Sequence, residues 1–136
     1  MMTCERDLNA LLRLMKPELR PGTFVFCTIA ADETIPAAVD PLLIFREPEG
    51  TTVVAPLEDA ERAGLRYEFA SRLITLTVHS ALDAVGFLAA ITARLADAGI
   101  SVNAVSAFHH DHLFVPSDRA DEAMAALQEL SEAKHS

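Results

Sequence analysis

Arg72-Leu-Ile-Thr-Leu-Thr-Val-His79 is followed by Ser80-Ala-Leu-Asp-Ala84, then Val85-Gly86-Phe-Leu-Ala-Ala-Ile91, and finally Gly99-Ile-Ser-Val-Asn103. The first block alternates Ile74, Leu76 and Val78 with Leu73, Thr75, Thr77 and His79. It is rich in β-branched residues, which reads as a strand. From near Val85-Gly86, the spacing of Ala84, Leu88, Ile91, Leu95 and Ala98 lays one apolar stripe along a helix, and Gly99 stops it. A second strand begins at Ile100. The unit is strand–loop–helix–strand, with a polar loop and a glycine where the chain enters the helix.

Working outward, residues 3–15 read as a helix with Leu8, Leu11, Leu12 and Met15 on one face, ended by Lys16-Pro17. Thr23 to Ile29 is apolar on both faces and reads as a buried strand. Ala30 to Pro41 reads as a loop. Leu42–Arg46 and Thr51–Ala55 are strands joined by the turn Glu47-Pro-Glu-Gly50. Leu57–Ala63 is a short helix, and Leu65–Ala70 a strand. Beyond Gly99, a strand runs to Phe108, His109-His-Asp111 turns, and His112–Val115 returns. Ser117 or Asp118 caps a last helix with the stripe Ala120, Ala123, Met124, Leu127 and Leu130. The tail from Glu132 reads as frayed.

Both halves are variants of the split arrangement βαββαβ, an α+β ferredoxin-like fold repeated side by side, with units 1–70 and 71–136. The first half lacks a helix that the N-terminal helix could supply. The second lacks its closing strand, so the strand from Arg72 has an edge to cover, by the first half or by another copy. In this architecture the first loop and the later hairpin turn lie at one end, which puts His79 and Ser80–Gly86 beside His109–Asp111.

The chain has 136 residues, 51% of them hydrophobic, and a net charge of −9. This composition suffices for a core, offers no apolar run that spans a membrane, and lacks the clustered Lys and Arg of a nucleic-acid surface. The first residues lack a secretion-signal pattern, and Cys4 and Cys27 are expected as reduced thiols of a cytoplasmic protein.

Leu82-Asp83-Ala-Val-Gly86-Phe-Leu-Ala-Ala-Ile91, Leu95-Ala96, and Gly99-Ile-Ser-Val-Asn103 resemble the signature of ACT domains, small regulatory modules. With Phe24–Thr28, Phe45–Glu47, Ala63-Gly64-Leu65, Ile74–His79 and His109–Pro116, the chain resembles a group of small bacterial tandem-ACT proteins. The same fold family includes amino-acid-sensing domains of metabolic enzymes and of eukaryotic arginine sensors. The resemblance implies a ligand such as an amino acid, in a cleft between two ACT units, held by Asp83, Val85, Gly86 and Asn103 with His79 and Ser80 beside them. Two departures stand out. Ala84-Val85 replaces the Arg-Pro of many ACT domains, and the first half has no helix-start glycine motif.

Other readings of these residues are weighed on their chemistry. Asp83 is either a ligand group or a helix cap. Asn103, disfavoured in a strand, either binds a ligand or bonds a nearby loop. His79 and Ser80 are adjacent in a strand and point apart, which argues against a nucleophile and base. The run His109-His-Asp-His112 invites a metal, yet strand alternation lets at most His110, His112 and His79 converge, so no metal and no cofactor are expected. The expected function is non-catalytic: a homo-oligomeric regulatory protein that binds an amino acid. The alternative is a ligand-free interaction module that forms a homodimer through sheet edges. A third possibility is a small enzyme or metal protein built on the histidines.

Overall fold

The computed structural model describes residues 5–135; the expectation for Cys4 lies outside them. In chain order the elements are α1 (Leu8–Leu14), β1 (Pro17–Leu19), β2 (Phe24–Ile29), β3 (Leu43–Glu47), β4 (Gly50–Pro56), α2 (Leu57–Arg62) and β5 (Tyr67–Leu76). They continue with α3 (Phe87–Asp97), β6 (Asn103–Ser106), β7 (Asp111–Pro116), a 3-10 turn (Ser117–Arg119) and α4 (Ala120–Ala133). The chain divides into two compact units, one of residues 1–21 with 72–136 and one of residues 22–71. β5 gives its first residues to the second of these and its last to the first.

The unit of residues 22–71 has strand order β3-β4-β2-β5 and antiparallel pairings. Val25, Cys27 and Ile29 are buried on one face of β2 and pack with Val39, Val53, Ala55 and Ala60. Phe24, Phe26 and Thr28 on the other face are only half-buried or exposed, so β2 is not the doubly buried strand its composition suggests. The loop from Ala30 stands where a first helix would be. It is pinned by the buried Asp59, whose carboxylate accepts from the Asp40 amide at 3.0 Å and from Arg62 Nη2 at 2.7 Å.

The unit of residues 1–21 and 72–136 holds the strand and helix stretch quoted above. β7 lies between β5 and β6, the split order that a ferredoxin-like unit requires. The edge of β5 is covered from within the chain, because β1 pairs with it antiparallel in the register Pro17↔Leu76 to Leu19↔Ile74. β1 therefore takes the place of the missing closing strand. α1 does not fill the helix gap of the first half. Its apolar face, Leu8, Leu11, Leu12 and Met15, packs with Ile91 and Leu95 of α3 and Leu127 of α4. A single short connection, Met15-Lys16, ties α1 to β1, so the pairing of β1 with β5 carries the helix along. Asp7 caps α1, accepting from the Ala10 amide at 2.9 Å.

Three strand limits also differ from the sequence reading. β5 absorbs the strand expected at Leu65–Ala70, β6 is shorter than Ile100–Phe108, and β7 begins one residue earlier at Asp111. The turn between the last two is closed by the Ala107 amide, which donates to the His110 carbonyl at 3.0 Å. The final helix starts through the 3-10 turn, with no side-chain cap from Ser117 or Asp118.

Candidate functional site

The loop from Thr77 to Gly86 leaves β5 and feeds α3. It is fastened at its start, where the Thr77 amide and hydroxyl both donate to the Lys16 carbonyl, at 2.9 and 2.6 Å. Its middle is held like a short parallel strand against the N-terminal segment: the Glu5 amide donates to the His79 carbonyl at 2.9 Å and the Ala81 amide to the Glu5 carbonyl at 3.0 Å. A tight turn follows, with the Ala84 amide on the Ala81 carbonyl. The loop ends at Gly86, whose φ of +90° lies where a Cβ is strained, and an added Cβ would come 3.5 Å from Leu8. Gly86 is the N-cap residue of α3, and among the described residues no side chain caps the helix start.

Beneath the loop lies a polar network centred on the buried carboxylate of Asp111 and reaching the exposed Ser106. The Ser80 hydroxyl donates to Asp111 Oδ2 at 2.9 Å, and the Ser106 hydroxyl to Asp111 Oδ1 at 2.5 Å. Asp111 is buried, and Ser80 with it. Two hydroxyl donors to one carboxylate are charge-assisted hydrogen bonds, which hold a buried anion better than neutral pairs would. Beside them is a cavity of about 40 Å³, lined by Ser80, Ala84, Phe87, Leu88, Ser106 and Asp111, with room for no more than water-sized guests. A second, open hollow of about 230 Å³ lies on the outer side of the loop, lined by Arg6, Ala81, Leu82, Asp83 and Phe108.

Asp83 does not cap α3. Its Oδ1 instead accepts from Arg6 Nε at 3.0 Å, and both side chains are largely exposed, 73% and 65%. An exposed pair of this kind contributes roughly 0–1 kcal/mol. It is therefore not a structural requirement of the fold. Val85 is 83% exposed on the same loop, and Leu82 66%.

Asn103 stands apart from the loop residues. Across the β6–β7 ladder it is opposite Phe114, while Ala104 is opposite Leu113 and Ser106 opposite Asp111. Directly paired residues share a face. Leu113 and Val115 belong to the core under α3 and α4, so Ser106 and Asp111 lie on that helix-covered face and Asn103 lies on the other. The structure brings together Ser80, Asp83 and Gly86 on one loop, and leaves Asn103 on the opposite side of the sheet.

The histidines form a loose string. Ring centroids are 5.8 Å apart for His79 and His109, 6.5 Å for His109 and His110, and 6.4 Å for His110 and His112. Among the described residues no three His, Cys, Asp or Glu side chains are grouped so as to hold a metal ion. His112 Nδ1 is 3.0 Å from the Thr75 hydroxyl, and its pKa is lowered, first by burial and then by the neighbouring His110. Burial also raises the thiol pKa of the free Cys27, which keeps it protonated and unreactive.

Arg6, Ser106 and Phe108 are the residues here that sequence reasoning missed; Asp111 was expected at this end, but in a turn and without its buried role. For Asp111 a signal existed: it alternates with Leu113 and Val115, so in a strand it must point inward with them. Arg6 had none, because its partner is far away in the chain.

Two ACT domain family profiles match, over residues 3–72 and 68–129. A Vibrio cholerae protein of unknown function, described as a possible transport protein, is 44% identical, with 91% of this chain and 95% of that one covered and a TM-score of 0.83. An Agrobacterium tumefaciens protein shares the fold at 22% identity and a TM-score of 0.74, covering 86% of this chain and 89% of its own. The regulatory subunit of aspartate kinase from Thermus thermophilus shares it at 14% identity and a TM-score of 0.57, covering 84% of this chain and 95% of its own. No curated protein matches the sequence. Among the described residues no helix is long and apolar enough to cross a membrane. With a family profile matched over each half of its sequence and a relative so similar over nearly its whole length, the chain belongs to the ACT domain family, with two ACT domains in tandem.

Proposed function

We propose that this protein is a non-catalytic regulatory module of the cytoplasm that binds an amino acid at the loop from His79 to Gly86. Its two ACT domains are taken as residues 1–70 and 71–136 along the sequence, with α1 and β1 lent to the second. The observation that carries the proposal is Asp83. It is an acidic side chain on the family's signature loop, it is not used as a helix cap, and it is held in the open by a weak pair beside a hollow. Such a carboxylate offers a seat for a ligand ammonium. Ser80 and Gly86 shape the loop, through the Asp111 network and the positive φ, and His79 and Val85 flank it. Asn103 has no direct part in this seat. The likeness to an aspartate kinase regulatory subunit supports a regulatory role. Ligand binding would favour one of two states, and a partner would read the difference.

Thermal melting in the presence of each of the twenty amino acids tests this. A ligand at 100 times its Kd stabilises the folded state by about 2.7 kcal/mol, which appears as a rise of several degrees in Tm. A flat response across all twenty counts against the proposal.

A second function is favoured by β3, which stands at the end of its unit's strand order and leaves Ile44 and Phe45 exposed, with Leu42 exposed just before it. An exposed apolar edge strand is a template for pairing with another copy. Sedimentation that gives a dimer with and without amino acids, together with flat melting, would favour this interaction module over the sensor.

A further inference from the structure

We propose that the hollow at Asp83 selects amino acids with apolar side chains. Arg6 of the N-terminal segment takes the ligand carboxylate, Asp83 the ammonium, and Leu82 and Phe108 receive the side chain. The inference rests on the amino-acid function proposed for the same loop and adds the class of ligand and a residue that the loop itself does not contain.

The hollow has the two halves of such a site. One side carries a cation and an anion, Arg6 and Asp83, set 3.0 Å apart, which is the charge pattern complementary to a zwitterion. Their contact uses only Arg6 Nε and Asp83 Oδ1, so Nη1, Nη2 and Oδ2 take no hydrogen bond among the described residues. A guanidinium has the planar fork that donates two parallel hydrogen bonds to a carboxylate, and the exposed pair is easily exchanged for ligand groups. The other side carries Leu82, 66% exposed, and Phe108, 72% exposed. Large apolar side chains gathered in the open on one hollow mark a binding surface rather than a fold requirement. The Phe108 ring is set edge-to-face on His109, with centroids 5.0 Å apart, which orients it at the rim. Among the described residues no further charged group lines the hollow to receive a charged ligand side chain.

Arg6 can serve here because the chain holds it in place. The Glu5 backbone is bonded on both sides to the loop, through His79 and Ala81, and Asp7 caps α1 on the other flank. The N-terminal segment is thus one wall of the site.

Titration calorimetry on the full chain with leucine, phenylalanine, glycine, aspartate and lysine decides the matter, with Arg6→Gln, Phe108→Ala and Leu82→Ser measured alongside. Leucine or phenylalanine is expected to bind at least about tenfold more tightly than glycine, aspartate or lysine, the discrimination that apolar contacts typically provide. Arg6→Gln should weaken that binding by about tenfold or more, and Phe108→Ala or Leu82→Ser should erase the preference over glycine. All three side chains are exposed, so unchanged thermal melting is expected to show each variant folded, and any one folded variant suffices. Aspartate or lysine binding as tightly as leucine overturns the selection and leaves the amino-acid function standing. So does leucine affinity that is unchanged in a folded variant. No heat with any ligand overturns both.

Discussion

The Ser80 hydroxyl donates to the buried carboxylate of Asp111, 2.9 Å away, and so ties the loop after β5 to the first residue of β7. Ser106 completes the network from β6. Replacing Asp111 by Ala leaves the buried Ser80 hydroxyl without its acceptor, while the exposed Ser106 can turn to water, and a loss of about 1–3 kcal/mol in unfolding free energy is expected. Ser80→Ala should cost less, about 1 kcal/mol, because Ser106 still serves the carboxylate. Urea unfolding of the three proteins measures both.

Gly86 is the second structural constraint on the loop. Its φ of +90° is one that side chains with a Cβ adopt only with strain, and Leu8 stands 3.5 Å from where that Cβ would go. Gly86→Ala should destabilise by about 1–2 kcal/mol, and Gly86→Val by more, in chemical denaturation.

The position of α1 can be checked through Leu11, which is fully buried among residues of α3 and α4. Leu11→Ala is expected to cost about 2–5 kcal/mol, the range for a large-to-small change in a packed core. A cost below about 0.5 kcal/mol would mean that α1 is not part of this core.

His112 makes stability depend on pH. Burial and His110 push its folded pKa below the ordinary value of 6.5, so the unfolded chain takes up the proton first as pH falls. The sign follows: this contribution is intact above pH 6.5 and is lost as pH drops through 6.5 towards the lower folded value. Urea midpoints at pH 7.5 and 5.5 should fall less in His112→Gln than in the parent chain.

Much of this fold is legible in the sequence, because its signals are local. Gly86 and Gly99 bracket α3, the stripe Leu88, Ile91 and Leu95 sets its buried face, and Glu47-Pro-Glu-Gly50 gives the hairpin. The rest depends on contacts with no local mark. β1 is a three-residue strand that begins with proline, and only its pairing with Ile74 to Leu76 makes it one. Arg6 and Asp83 are 77 positions apart. Asn103 shows how sharply a face depends on register: in a ladder of period two, a shift of one residue would have put it with Asp111 instead of opposite Phe114.

An amino acid seated at the loop from His79 to Gly86, beside Asp83, would perturb the backbone amides around it. An amide-resolved NMR titration of the full chain with the amino acid that most raises its Tm tests this most directly. Saturable shifts concentrated at residues 79–86 and at Arg6 are expected, together with their loss in Asp83→Asn. Shifts confined to other residues, or a saturable response unchanged in Asp83→Asn, would contradict binding at this loop.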